Sequence, residues 1–183
     1  MEIAKTLQNQ KMLKYVLLTI LGSIILTISA KIKIPFYPVP MTMQTFVVLF
    51  LGISFGYKIA IATVALYLFE GIFGLPVFSN SPEKGVGIVY FTGPTMGYLI
   101  GFIFATFFAG YINLKTNIIS IFLKLILSVS IIYILGLFWL GILIGWDKPI
   151  FQLGAKPFLL AELFKILILT ILTKKIIKFR KII

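Results

Sequence analysis

Glu162 and Lys165 stand three residues apart inside an otherwise apolar stretch, PFLLAELFKILILTIL at 157–172. On a helix that spacing makes them neighbours on one face. Within or near the edge of a hydrocarbon layer charge is expensive, so such a pair marks either a binding site or an ion pair that satisfies itself. As a site, its chemistry is a donor–acceptor clamp. A carboxylate accepts N–H bonds and an ammonium donates to a carbonyl, which suits a polar ligand head presenting both groups. Thr42 and Gln44 offer hydrogen bonds either between helices or to a pocket wall. Glu70, near the end of another apolar run, is expected to reach out to the membrane interface, as long charged side chains do.

The remaining chemistry is sparse. There is no cysteine and no histidine, so disulfides, thiolate metal sites, cysteine nucleophiles and a Ser-His-Asp triad are excluded. Five acids (Glu2, Glu70, Glu83, Asp147, Glu162) do not suit a multi-carboxylate metal centre, and no metal or cofactor is expected. No GxxxxGK[ST] phosphate loop occurs, and Gly85-x-Gly87 lacks both the third glycine and the strand–helix setting of a dinucleotide site. The chain therefore reads as a binder or carrier and not as an enzyme.

The elements that must position the pair follow from composition. Of 183 residues, 60% are hydrophobic and 12% charged, with mean hydropathy +1.11. Soluble domains carry about 25% charged residues, so this is an integral membrane protein. Apolar runs at 15–30, 41–55, 59–73, 94–112, 118–144 and 158–172 predict a single domain, 1–183, forming an all-α bundle of six transmembrane helices. Pro35, Pro38 and Pro40 force extended backbone between the first two runs. Glu2 in the polar start and the length of the first run argue against a cleaved signal peptide.

The net charge of +12 belongs to membrane orientation and not to nucleic-acid binding. With six spans, Lys5, Lys11, Lys14, Lys58, Lys115, Lys124, Lys174, Lys175, Lys178, Arg180 and Lys181 fall on the side of the termini. Only Lys31, Lys33, Lys84, Lys148 and Lys156 fall opposite. The positive-inside rule then places both termini in the cytoplasm and turns the polar 74–93 loop outward. The basic tail reads as a stop signal and anchor to anionic lipid. Gly93, Gly97, Gly101, Ala105 and Ala109 line one helix face at four-residue intervals, which predicts close packing inside the bundle. Thr19, Ser23 and Thr27 repeat the spacing on the first run, where a partner-facing role competes with internal packing. Trp146 reads as an interfacial belt residue.

Four segments carry a resemblance: PVPMTMQTF at 38–46, GLPVF at 74–78, GPTMGYLIGF at 93–102 and PFLLAELFK at 157–165. In order and spacing, over nearly the whole chain, they resemble the BioY family, the biotin-specific substrate-binding S components of energy-coupling-factor (ECF) transporters. The resemblance implies a six-helix S component that captures biotin on the outer side of a prokaryotic cytoplasmic membrane. Delivery inward draws energy from a separate T component and two ATPase subunits, which agrees with the missing phosphate loop. It also implies site roles. Glu162 and Lys165 address the ureido ring, whose two N–H donors and one carbonyl match the pair. Tyr98 touches the ligand, the 74–78 loop ending in Phe78 caps the pocket, and Gln44, Asn80 and Lys84 add polar contacts, Lys84 toward the ligand carboxylate. Two residues depart from the family pattern. Glu162 stands where Asp is usual, carrying its carboxylate about 1.5 Å further, and Met96 replaces a glycine. The threonines and serine of the first run are larger than the alanines by which the T component is thought to grip that helix. The alternatives are an S component for another vitamin, or a structural subunit of a membrane complex in which Glu162 and Lys165 are only an ion pair.

Overall fold

In the computed structural model the described residues are 2–182, and side chains are described over 9–173, 175–178 and at 180. Of the basic residues in the orientation argument, Lys5, Lys174 and Lys181 lie outside the described side chains.

Helix α1 (Glu2–Lys31) runs into a two-stranded antiparallel hairpin, β1 (Lys33–Ile34) and β2 (Met41–Thr42), with Lys33 opposite Thr42. The prolines at 35, 38 and 40 occupy the hairpin loop, where no backbone N–H is needed for a helix. Segment α2 (Gln44–Ile72) holds the second and third apolar runs as two helical arms that meet at a kink. The interruption at 56–58 between those runs is a reversal at Gly56, whose φ of 75° and ψ of 166° are non-helical, and it brings Gln44 back to Tyr67 at 2.8 Å. Glycine alone tolerates that backbone without strain. The break divides α2 into arms 44–55 and 57–72.

A long connection follows, closing with a 3-10 helix at Gly87–Thr92. Then come α3 (Met96–Tyr111), α4 (Ile118–Ile144), the short α5 (Ile150–Gly154), a 3-10 turn at Lys156–Phe158 and α6 (Leu159–Ile182). Asn117 starts α4 by accepting from the Ile119 N–H at 3.2 Å, and Gly145 ends it with φ of 93°.

Residues 9–31, α2 and α4 are each long and apolar enough to cross a membrane, and α3 is a shorter apolar helix. Their burial differs: 61% of the apolar window is buried in α2 against 22% in α1 and 28% in α4. The two arms of α2 therefore form the centre of the bundle, packed by α1, α3 and α6. The outer helices present Val16, Ile20, Leu127, Ile134 and Phe138 outward, an apolar surface suited to lipid.

The small-residue face of α3 packs inside the bundle, as expected. A methyl group added at Gly101 would sit 2.7 Å from the Ile132 Cα, so α3 and α4 meet backbone to backbone there. One added at Gly52 would meet the Ala109 Cβ at 2.8 Å. On the first helix Thr19 and Thr27 are half-buried. Ser23 is fully buried, and its hydroxyl donates to the Glu70 carboxylate. Glu70 thus turns inward to α1 and does not reach for the interface, because a buried hydroxyl one helix away supplies its partner.

The basic tail also departs from a purely lipid-facing role. The Arg180 guanidinium donates to the Ile112 carbonyl at 2.9 Å, to the Gly110 carbonyl, and at 3.5 Å to the Gly52 carbonyl. It thereby covers carbonyls at the end of α3 that have no helical partner of their own.

Candidate functional site

Three chain segments converge on Glu162. Helix α6 begins at Leu159, which places Glu162 in its first turn, where the helix dipole favours a negative charge. Thr45 lies in the first turn of α2, and Thr42 ends the hairpin that feeds it. Lys165 then sits one turn above Glu162 on the same face.

Their hydrogen bonds form a closed group. The Lys165 Nζ donates to Glu162 Oε1 at 2.8 Å, to Thr45 Oγ1 at 3.0 Å and to the Thr42 carbonyl at 2.7 Å. The Thr45 hydroxyl donates to the same Glu162 Oε1 at 2.9 Å. Glu162 is 5% exposed and Lys165 7%. Burial at this depth makes charge costly, and the pair is sustained by mutual attraction together with the two threonine contacts. One atom stands apart. Glu162 Oε2 is buried and has no hydrogen-bond partner within the chain. A carboxylate oxygen left bare in a low-dielectric interior is expensive, so this atom is an acceptor awaiting a donor.

Glu162 forms part of the wall of a partly open cavity. Val39 and Met41 from the hairpin region, Gln44 and Thr45 from α2, Tyr98 and Phe102 from α3, Ile132 and Tyr133 from α4, and Phe158 before α6 complete much of the wall. The polar lining is held from behind. Gln44 Nε2 donates to the Tyr67 hydroxyl at 2.8 Å, which donates onward to the Val77 carbonyl at 3.2 Å. The Tyr98 hydroxyl donates to the Gly154 carbonyl at 2.8 Å.

Of the residues singled out from sequence, Glu162, Thr42, Gln44 and Tyr98 line the cavity. Lys165 stands behind Glu162, outside the lining. Phe78 is 1% exposed and does not line the cavity; it stacks at 4.6 Å on Tyr90, which does. Asn80 and Lys84 line a smaller adjoining recess that shares Tyr90 and Thr95 with the main cavity. There the Lys84 ammonium lies 5.5 Å from the centre of the Tyr37 ring.

The loop bearing Phe78 and Asn80 is tied to the end of α1. Lys31 donates to the Phe78 and Ser81 carbonyls, each at 2.7 Å, and Lys33 to the Ser79 carbonyl at 2.6 Å. Sequence reasoning missed Thr45, Tyr90, Thr95, Tyr133 and Phe158. Thr45 and Thr95 lie within the 38–46 and 93–102 segments, which was the available signal; nothing local separates Tyr133 from the chain's seven other tyrosines.

Comparison with known proteins fits this arrangement. The model of the BioY family matches residues 4–181. The probable biotin transporter BioY of Pyrococcus horikoshii is 34% identical over 76% of this chain and 81% of its own length. The biotin transporter BioY of Thermotoga maritima is also 34% identical, over 84% of this chain and 90% of its own. The crystal structure of the S component for biotin from an ECF-type ABC transporter shares the fold, with a TM-score of 0.77 and 22% identity, covering 93% of this chain and 94% of that one. A matching span that reaches almost from end to end, and relatives aligned over most of their own length, leave one conclusion: the chain belongs to the BioY family.

Proposed function

We propose that this protein is the biotin-binding S component of an ECF-type transporter, and not an enzyme. It takes biotin from outside into the cavity beside Glu162 and delivers it inward. The observation that carries the reading is the bare Glu162 Oε2 beside a cavity lined by aromatic and polar side chains, in a chain whose family relatives are biotin transporters. A ureido ring supplies the N–H donor that this buried oxygen lacks.

In this reading the protein is one integral domain of six membrane-crossing segments, the two arms of α2 counting separately. It lies in a prokaryotic cytoplasmic membrane with both termini in the cytoplasm. The distribution of basic residues supports that orientation. Tyr98 and Gln44 contact the ligand from the wall. Phe78 backs the wall through Tyr90, Lys165 holds Glu162, and Asn80 and Lys84 meet the ligand carboxylate in the outer recess. A T component and two ATPase subunits supply the energy, since the chain has no phosphate loop of its own.

The test is a titration of biotin into the protein purified in detergent or nanodiscs. Saturable one-site binding with Kd below about 1 µM, or about −8 kcal/mol, is the expected result. No saturable binding in that range removes biotin as the ligand.

A further inference from the structure

We infer that the groove between the end of α3 and the first half of α4 is a site for one anionic phospholipid, with an acyl chain along α4 and the phosphate on Lys124. The groove shares no residue with the central cavity, so its occupant is independent of the ligand bound there.

Lys124 is exposed, and among the described residues its ammonium has no hydrogen bond or ion pair. The described acids are placed elsewhere. Glu70 accepts from Ser23, Asp147 pairs with Lys148, and Glu162 with Lys165. Glu83 stands near Lys31 on the loop at the opposite end of the bundle. No acid occupies the first turn of α4, so the positive end of that helix dipole adds to the local surplus. A counter-ion for Lys124 must come from outside the described chain.

Depth narrows what that anion is. Helix α4 has 27 residues, about 40 Å at 1.5 Å per residue, against a hydrocarbon core about 30 Å thick. Lys124 lies about 9 Å along the axis from Ile118. With α4 centred, it sits a few ångström inside the hydrocarbon edge, where charge is costly. Its four-carbon stem carries the ammonium back to the headgroup level. From there the groove continues as an apolar channel. Leu127, Ile131 and Ile134 follow Lys124 on the α4 wall, and Phe108 and Tyr111 form the α3 wall. Lys124 to Ile134 spans about 15 Å, half of a core about 30 Å thick and thus one leaflet. A leaflet-long apolar channel with a cation at its headgroup end has the chemistry of one lipid. The Tyr111 ring, 4.9 Å from that of Tyr57 and 5.2 Å from that of Phe107, brings a phenol donor to the same groove.

Native mass spectrometry of the full chain, purified in detergent, reads bound lipid directly. The probes are phosphatidylglycerol and phosphatidylcholine with identical acyl chains, added together in equal amounts. The expected result is one phosphatidylglycerol retained per chain, favoured about fivefold over phosphatidylcholine, the attraction of one lysine for anionic lipid. Lys124→Met removes the preference and Lys124→Arg keeps it. Lys178→Met, an exposed lysine near the same end of the bundle on α6, also keeps it. Ile131→Trp fills the channel while leaving the ammonium, and should lower retention of both lipids about threefold or more. Equal retention of the two lipids by wild type overturns the assignment. So does a preference that survives Lys124→Met, or one lost equally in Lys178→Met, which marks diffuse charge. Retention unmoved by Ile131→Trp overturns the chain's place in the groove. Should that variant not fold, deacylated glycerophosphoglycerol in tenfold excess is the second measurement. It should leave the bound lipid in place, and displacement marks a phosphate site without a channel and overturns the assignment.

Discussion

Replacing Lys165 by Met tests whether the pair works as a buried unit. The substitution keeps the length of the side chain and removes the ammonium. Glu162, 5% exposed, then keeps only the Thr45 hydroxyl on Oε1 and nothing on Oε2. Removing one partner of a buried ion pair costs about 3–5 kcal/mol, because the other charge is left uncompensated. For a chain of this size about 1 kcal/mol corresponds to roughly 2–4 °C in Tm, so ligand-free Lys165→Met should melt roughly 6–20 °C below wild type. The second arm adds Glu162→Gln. That change removes the stranded charge while leaving a polar group beside Thr45, so the double variant should recover most of the lost Tm without recovering biotin affinity. Thermal unfolding followed by intrinsic fluorescence in one detergent reads the first quantity, and titration reads the second. A Lys165→Met protein melting within 3 °C of wild type would refute the reasoning. So would a double variant no more stable than the single one, since then the penalty is not one of unpaired charge.

Four other outcomes follow from the geometry. Thr45→Val removes the hydroxyl that donates to Glu162 and accepts from Lys165; biotin should bind about 10-fold more weakly by calorimetry, and Thr45→Ser should restore it to within about threefold. Gly101→Ala places a methyl 2.7 Å from the Ile132 Cα, and the overpacking should lower stability by about 1–3 kcal/mol in thermal melts, with Gly101→Leu yielding no folded protein. Lys31→Met releases the Phe78 and Ser81 carbonyls; amide hydrogen exchange over 78–85 should quicken while that of α4 is unchanged. Arg180→Met leaves the Gly110 and Ile112 carbonyls without their guanidinium, and about 1–3 kcal/mol of stability should go with it, with biotin affinity in the folded protein unaltered.

The Glu162–Lys165 pair was legible from spacing alone, because two charges three apart in an apolar run must share a helix face, and they meet at 2.8 Å. Which of them faces the cavity was not legible. That depends on Thr42 and Thr45 arriving from residues some 120 positions earlier, a consequence of how α2 lies along α6. Tyr133 was hidden for the same reason, since a tyrosine in an apolar helix looks alike whether it faces lipid, core or ligand. The inward turn of Glu70 needed a buried Ser23 on a neighbouring helix, which no local pattern announces. The apolar runs foretold the helices well. The turn at 56–58 was legible because Gly56–Lys58 interrupts the apolar run, and the backbone reverses at Gly56 so that Gln44 meets Tyr67 at 2.8 Å.

Helix α6 carries Glu162 near its start and Arg180 near its end, eighteen positions apart. At 3.6 residues per turn that is five turns, so the two charges project from the same side of one rod, about 27 Å apart. Both grip α2, the first through Thr45 and the second through the Gly52 carbonyl four residues short of the break at Gly56. The rod is thus riveted at two points, and its phasing is over-determined. Inserting one residue between 166 and 179 would rotate one rivet about 100° from its hole. An insertion of seven residues, close to two full turns, would displace the far rivet lengthwise yet keep it on the same side.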